Sequence, residues 1–125
     1  MHTFALQKIS VIKGIQRFEQ LMVDGIGQLD EFEKDVMGTT YSGELKKLFT
    51  YMEYLSNNNT LPEKIFRELK PSKNPKEYEF KSKHLRIYVT QQFSGKIVVI
   101  GGYKNSQKQD IKKFRSLKKQ YLDSL

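Results

Sequence analysis

The chain has 125 residues, 22 Lys and Arg against 14 Asp and Glu, a formal net charge of +8 and no cysteine. Such a length makes one domain, residues 1–125, able to bury a core without staples. Without cysteine there are no disulfides, thiolate metal sites or cysteine nucleophiles, and two histidines are too few for a histidine zinc site.

Thr3 to Val11 reads as a first strand with Phe4 and Leu6 on one face. Phe18 to Val23 reads as its hairpin partner, with Lys13 and Gly14 in or near the connection. Asp24, Gly25 and Gly27 break the pattern. Leu29, Phe32 and Val36 fall at helical spacing, with Gly38 as the stop and Asp30, Glu31, Glu33 and Asp35 as an acidic outer face. A second amphipathic helix carries Leu45, Leu48, Phe49, Met52 and Leu55, and ends at Asn57 to Asn59. Its apolar stripe is core.

After Leu61 and Pro62, residues 65–70 return the chain to the sheet, and Pro71 to Pro75 is a loop. Tyr78 to Lys81 and Leu85 to Val89 alternate with the period of half-buried strands. Ser94 and Gly95 mark a turn, Lys96 to Ile100 is a β-branched run, and Gly101 with Gly102 permits a bend or a close approach. In the last helix Ser106 and Gln109 read as a capping box. Ile111, Phe114, Leu117 and Tyr121 form its apolar face, and Lys112, Lys113, Arg115, Lys118 and Lys119 take the remainder. No repeat or low-complexity run interrupts the chain. The expected fold is α+β, a mainly antiparallel sheet packed against N-terminal and central helices, with a basic C-terminal helix.

Charge is divided unevenly. Residues 1–63 hold 6 Lys/Arg and 9 Asp/Glu, net −3, whereas residues 64–125 hold 16 and 5, net +11. A basic second half fits RNA or DNA, and equally a lysine-rich solubilising surface. No apolar run approaches a membrane span and no signal peptide opens the chain, so a cytoplasmic protein without a membrane partner is expected. Phosphate-loop, nucleophile-elbow and His-Glu-x-x-His spacings are all missing.

From Tyr78 onward the order is Glu-aromatic-Lys, Leu-Arg-aliphatic-aromatic, a Gly-Lys-Ile-Val strand, then Gly-Tyr-Lys-x-Ser-Gln-Lys. This resembles the RelE/ParE toxin superfamily, in particular its HigB-like, phage-derived branch, over residues 44–122. The strongest piece is IVVIGGYKNSQKQDIKKFRSLKKQY, where such toxins carry a His-Gly-Phe-x-Lys-Lys-Thr-x-Lys run before the last helix. The resemblance implies the toxin of a type II toxin–antitoxin pair. Its activity would be metal-free, cofactor-free endoribonuclease cleavage of messenger RNA on the ribosome, arresting translation. Its partner would be a cognate antitoxin encoded next to it. Two alternatives stay open: a ParE-like inhibitor of DNA gyrase, and a non-catalytic binding module that pairs with an acidic partner.

Carried over residue by residue, the resemblance makes Arg86, Lys81, Lys104 and Lys108 the catalytic cations. A guanidinium matches a phosphate in two-point geometry, which puts Arg86 first. As a plain structural residue, Arg86 would instead pair with Glu79 or Glu77. Lys70, Tyr103, Lys112 and Lys113 are the RNA-binding candidates, with a packed aromatic or solvated lysines as the plainer readings. Gly101 stands where many family members have His, so acid–base work would have to come from Glu79 or His84.

Overall fold

The computed structural model describes residues 1–125, and the chain folds into a seven-stranded mixed sheet with helices on both faces. The strands are β1 (Phe4–Lys8), β2 (Arg17–Val23), β3 (Ile26–Gly27), β4 (Phe66–Glu68), β5 (Glu77–Lys81), β6 (Leu85–Gln92) and β7 (Gly95–Tyr103). The helices are α1 (Gln28–Met37), α2 (Ser42–Ser56) and α3 (Gln107–Asp123), the last preceded by a 3-10 turn at Lys104–Ser106.

Strand order is β1-β2-β7-β6-β5-β4, with β3 paired to β2. Neighbours are antiparallel except β2 and β7, which run parallel with Phe18 opposite Lys96. That single parallel pair follows from α1 and α2, which carry the chain across the sheet between its halves. The expected β1–β2 hairpin is present, with Leu6 opposite Leu21. β7 runs longer than the β-branched stretch suggests, continuing through Gly101 and Gly102.

Alternation along the central strands divides the core in two. Phe80, Leu85, Ile87, Val89 and Val98 face Leu29, Phe32 and Val36 of α1 and Leu45, Leu48 and Met52 of α2. Tyr88, Ile97, Val99 and Ile100 face Phe114 and Leu117 of α3. Between Tyr88 and Val89 the register slips from Ile100 to Val98, so Val99 is an extra residue on β7. The bulge is why Val99 and Ile100 both lie on the α3 side.

The two glycines of β7 are close approaches. A Cβ on Gly101 would lie 2.2 Å from the Phe32 ring, and one on Gly102 would lie 2.1 Å from a carboxylate oxygen of Asp110. The capping box is not formed. Ser106 makes no side-chain cap to α3; its hydroxyl meets the Tyr103 carbonyl at 3.1 Å and the Asp110 carboxylate at 2.7 Å. The hydroxyl acts as a donor to these two acceptors, and its oxygen takes no amide hydrogen from the first turn of α3. No helix is long and apolar enough to cross a membrane.

Candidate nucleic-acid interface

The phase of α3 decides what its cations can reach. Phe114, Leu117 and Lys118 are buried against the sheet, which fixes the outer flanks. Lys108, Lys112, Arg115 and Lys119 recur at i, i+4, i+7 and i+11 and share one flank. That flank faces β4 and the loop after it: an Arg115 guanidinium nitrogen donates to the Lys70 carbonyl at 3.4 Å, and Lys118 Nζ donates to the Pro75 carbonyl. Across from it stand Arg67, Lys70 and Lys73, and Lys81 sits at the end of β5 on the same sheet face as Glu79. By helix phase and strand register these cations lie along one side of the molecule, a cationic strip that forms the trough. One end holds a cavity of about 370 Å³ between Lys73, Asn74, Arg115 and Lys119.

Two carboxylates form the floor, both enclosed. Glu77, 2% exposed, accepts from Arg115 Nε at 2.8 Å and from Lys118 Nζ at 3.1 Å. Glu79, fully buried, accepts from Arg67 Nε at 2.7 Å and from Gln107 Nε2 at 2.9 Å. They tie α3 and β4 to β5 and use up few of the cations. Lys70, Lys73, Lys81, Lys108 and Lys112 have no carboxylate within ion-pair distance. The trough therefore keeps an excess of positive charge facing solvent. Lys118 belongs to the floor, because burial and Glu77 hold it there. Lys113 projects from the opposite flank of α3, away from the trough.

Arg86 is 7% exposed and lies inside the interface between sheet and α3. It pairs with neither Glu77 nor Glu79. Its Nη1 donates to the carbonyls of Ser82 at 2.6 Å and Leu85 at 2.8 Å, so the guanidinium braces the β5–β6 turn. Arg86 Nε and the Tyr88 hydroxyl beside it are buried without partners. Burial, with Glu79 and Asp110 nearby, pushes the Tyr88 phenol well above its ordinary pKa, so it stays a neutral hydroxyl. A phosphate at the surface does not reach Arg86 while α3 lies in place.

The turn braced by Arg86 carries His84 to the other side of the sheet. There His84 Nδ1 lies 2.6 Å from Glu44 Oε2, and the His84 amide donates to Glu44 Oε1 at 2.8 Å. The imidazole stacks on Tyr41, ring centroids 4.4 Å apart and planes 21° apart. Burial alone would raise the Glu44 pKa, but hydrogen bonds from Ser82 and His84 outweigh it and hold the carboxyl below its ordinary value. Tyr103 donates its phenol to Asp35 at 2.7 Å, and burial together with that carboxylate lifts its pKa to about 12. Tyr41, His84, Tyr103, Lys104 and Asn105 line a cavity of about 470 Å³.

The sequence-expected residues thus divide between two neighbouring places. Lys81, Lys108 and Lys70 lie along the trough with Glu79 buried on the same sheet face, and Lys112 lies on the outer side of α3 above them. His84, Tyr103 and Lys104 meet at the cavity by the start of α3. Lys104 joins the two, one helical turn before Lys108. Sequence reasoning missed Tyr41 and Glu44, which lie about forty residues from His84 and carry no local motif. It also missed Arg67 and Gln107, whose roles follow only from Glu79 being buried between them.

No protein-family model, curated protein or solved structure matches the chain.

Proposed function

We propose that this protein is the toxin of a type II toxin–antitoxin pair that cleaves messenger RNA on the ribosome without a metal. The single observation that carries the polyanion substrate is the trough, whose unpaired lysines converge from α3, β5 and the loop after β4. A single strand laid there would run along Lys112 and Lys108 to Lys104 and the cavity beside His84. The toxin assignment itself rests on the motif order from Tyr78 to Lys108.

In this reading the ribose 2′-oxygen attacks the phosphorus and the bond from phosphorus to the 5′-oxygen breaks. The products are a 2′,3′-cyclic phosphate and a 5′-hydroxyl. The 2′-hydroxyl proton leaves to water, and His84 as imidazolium delivers a proton to the departing 5′-oxygen. Glu44 fixes the ring by tying Nδ1, which leaves Nε2 for the substrate. The Lys104 ammonium offsets charge gathering on the phosphoryl oxygens. His84 supplies the acid–base group that Gly101 cannot. Arg86 supports the turn that carries it.

The neighbouring antitoxin, an acidic chain, would cover the trough and cancel its field. A second reading draws on the burial of Arg86: a non-catalytic module that binds a polyanion or an acidic protein through the same trough. Mapping message 5′ ends in a translating bacterial extract, with and without the purified chain, decides between them. Translation-dependent cuts bearing 5′-hydroxyls, lost in His84→Ala, are expected. Intact messages at saturating protein would reject the nuclease and favour the binding module, or gyrase inhibition if supercoiling stops.

A further inference from the structure

We propose that the cavity between Tyr41, His84, Tyr103, Lys104 and Asn105 seats one unpaired purine base of the RNA strand, giving the protein a base preference. The idea deepens the RNA reading above and rests on it for the source of the base.

Three aromatic rings converge at the cavity. Tyr41 stacks on His84 at 4.4 Å, and Tyr103 lies 6.1 Å from Tyr41 at 57°. His84 and Tyr103 are held from behind. Glu44 grips both the ring and the amide of His84, while Asp35 takes the Tyr103 phenol and Phe32 meets the Tyr103 ring edge-on at 5.8 Å. Rings already fixed lose little freedom when a flat ligand stacks on them, and stacking is how single-stranded bases are gripped.

The cavity volume of about 470 Å³ is within the range of small-ligand sites. Its polar groups sit together at Lys104 and Asn105, both exposed. A lysine ammonium suits the N7 and O6 acceptors of guanine, and an asparagine amide suits the N7 and N6 pair of adenine. Pyrimidines lack N7 and offer less area to stack. A base paired in an A-form helix could not enter, so the substrate is single-stranded at this point. Backbone continuity comes from Lys104, which belongs to the cavity and also begins the row leading through Lys108 and Lys112.

The test titrates GMP, AMP, CMP and UMP into the full chain while following the ring resonances of Tyr41, Tyr103 and His84. Labelled purine and pyrimidine heptamers are compared in parallel by anisotropy. Purine nucleotides are expected to shift all three rings, and purine heptamers to bind roughly tenfold tighter, the scale of one stacked base. Tyr41→Ala should erase that preference while the heptamers still bind with their salt dependence, and Tyr41→Phe should keep it. A thermal scan confirms that each variant is folded. Equal shifts from all four nucleotides, no shifts, or a preference that survives Tyr41→Ala would overturn the base site. Heptamers that bind without preference sink the base site alone. Rings that shift with GMP while heptamers fail to bind sink the trough and leave the base site standing.

Discussion

A carboxylate of α2, Glu44, holds both the ring and the backbone of His84, forty residues later in the chain. Oε2 is 2.6 Å from the imidazole Nδ1, and Oε1 accepts from the His84 amide at 2.8 Å and the Ser82 hydroxyl at 2.5 Å. One side chain thus fixes the β5–β6 turn against the helical layer. The turn is also braced from the opposite sheet face by Arg86, so His84 is held from two sides.

The Glu44 contacts make stability depend on pH in a definite sense. Its folded pKa lies below the ordinary 4.5, so the unfolded chain takes up the proton first as acid is added. The stabilisation is therefore full above the unfolded value and is lost as pH falls through the depressed folded one. Glu44→Gln should unfold more easily than the parent at pH 7. The gap should shrink as the pH is taken below 4.5, read by urea titration at several pH values. A gap that stays constant would show that the charge of Glu44 contributes nothing.

Glu77 is the most costly side chain to remove from the trough. With Glu77→Ala, Arg115 and the buried Lys118 lose their shared counter-ion. An uncompensated buried charge typically costs about 3–5 kcal/mol. A marked fall in the urea midpoint is expected, together with proteolytic opening of the loop between Leu69 and Lys76. Lys119→Ala, which breaks only an exposed pair with Asp123, should leave the midpoint in place.

What was legible in the sequence follows from how local each signal is. Leu29, Phe32 and Val36, like Leu45, Leu48 and Met52, announce their helices because one face repeats within a turn or two. The parallel pairing of β2 with β7 could not be read, since Phe18 and Lys96 meet only through the packing of α1 and α2. Arg86 looks like a surface strand cation until α3 is laid over β6. The cation row on α3 was visible as composition, but separating Lys112 from Lys113 needs the helix phase that Phe114 and Leu117 set. Gly101 and Gly102 were legible as a close approach, though not what approaches them.

The trough should bind RNA by charge. Lys108→Ala and Lys112→Ala are each expected to weaken single-stranded RNA uniformly across sequences. Each should flatten the slope of log affinity against log salt by about 0.7, one phosphate contact in a single strand. Lys113→Ala, on the other flank, should change neither. Affinity flat from low to high salt would remove the electrostatic basis of the trough.

Gly101 has no room for a side chain. Even a methyl group there meets the Phe32 ring at 2.2 Å, so Gly101→Ala forces α1 off β7. Overpacking of this kind costs about 1–3 kcal/mol, and Gly101→His should cost more. Phe32→Leu made in the same chain should recover part of the loss. Additive losses in the double variant would mean that the two residues do not share one space.

Arg86→Ala separates a supporting role from a direct one. The guanidinium spans the carbonyls of Ser82 and Leu85 from a buried position, and hydrogen bonds from a charged donor are worth about 1.5–3 kcal/mol each. Its loss should lower the thermal midpoint and loosen the turn that aims His84. Cleavage should then fall while RNA affinity, which depends on the trough, stays near the parent value. Arg86→Lys should recover part of the midpoint, because one nitrogen, Nη1, serves both carbonyls and an ammonium also carries more than one donor. The opposite pattern, a stable fold with weakened RNA binding, would mean that α3 lifts and lets Arg86 meet the phosphate itself. Thermal scans and anisotropy titrations on the same three proteins distinguish the two outcomes.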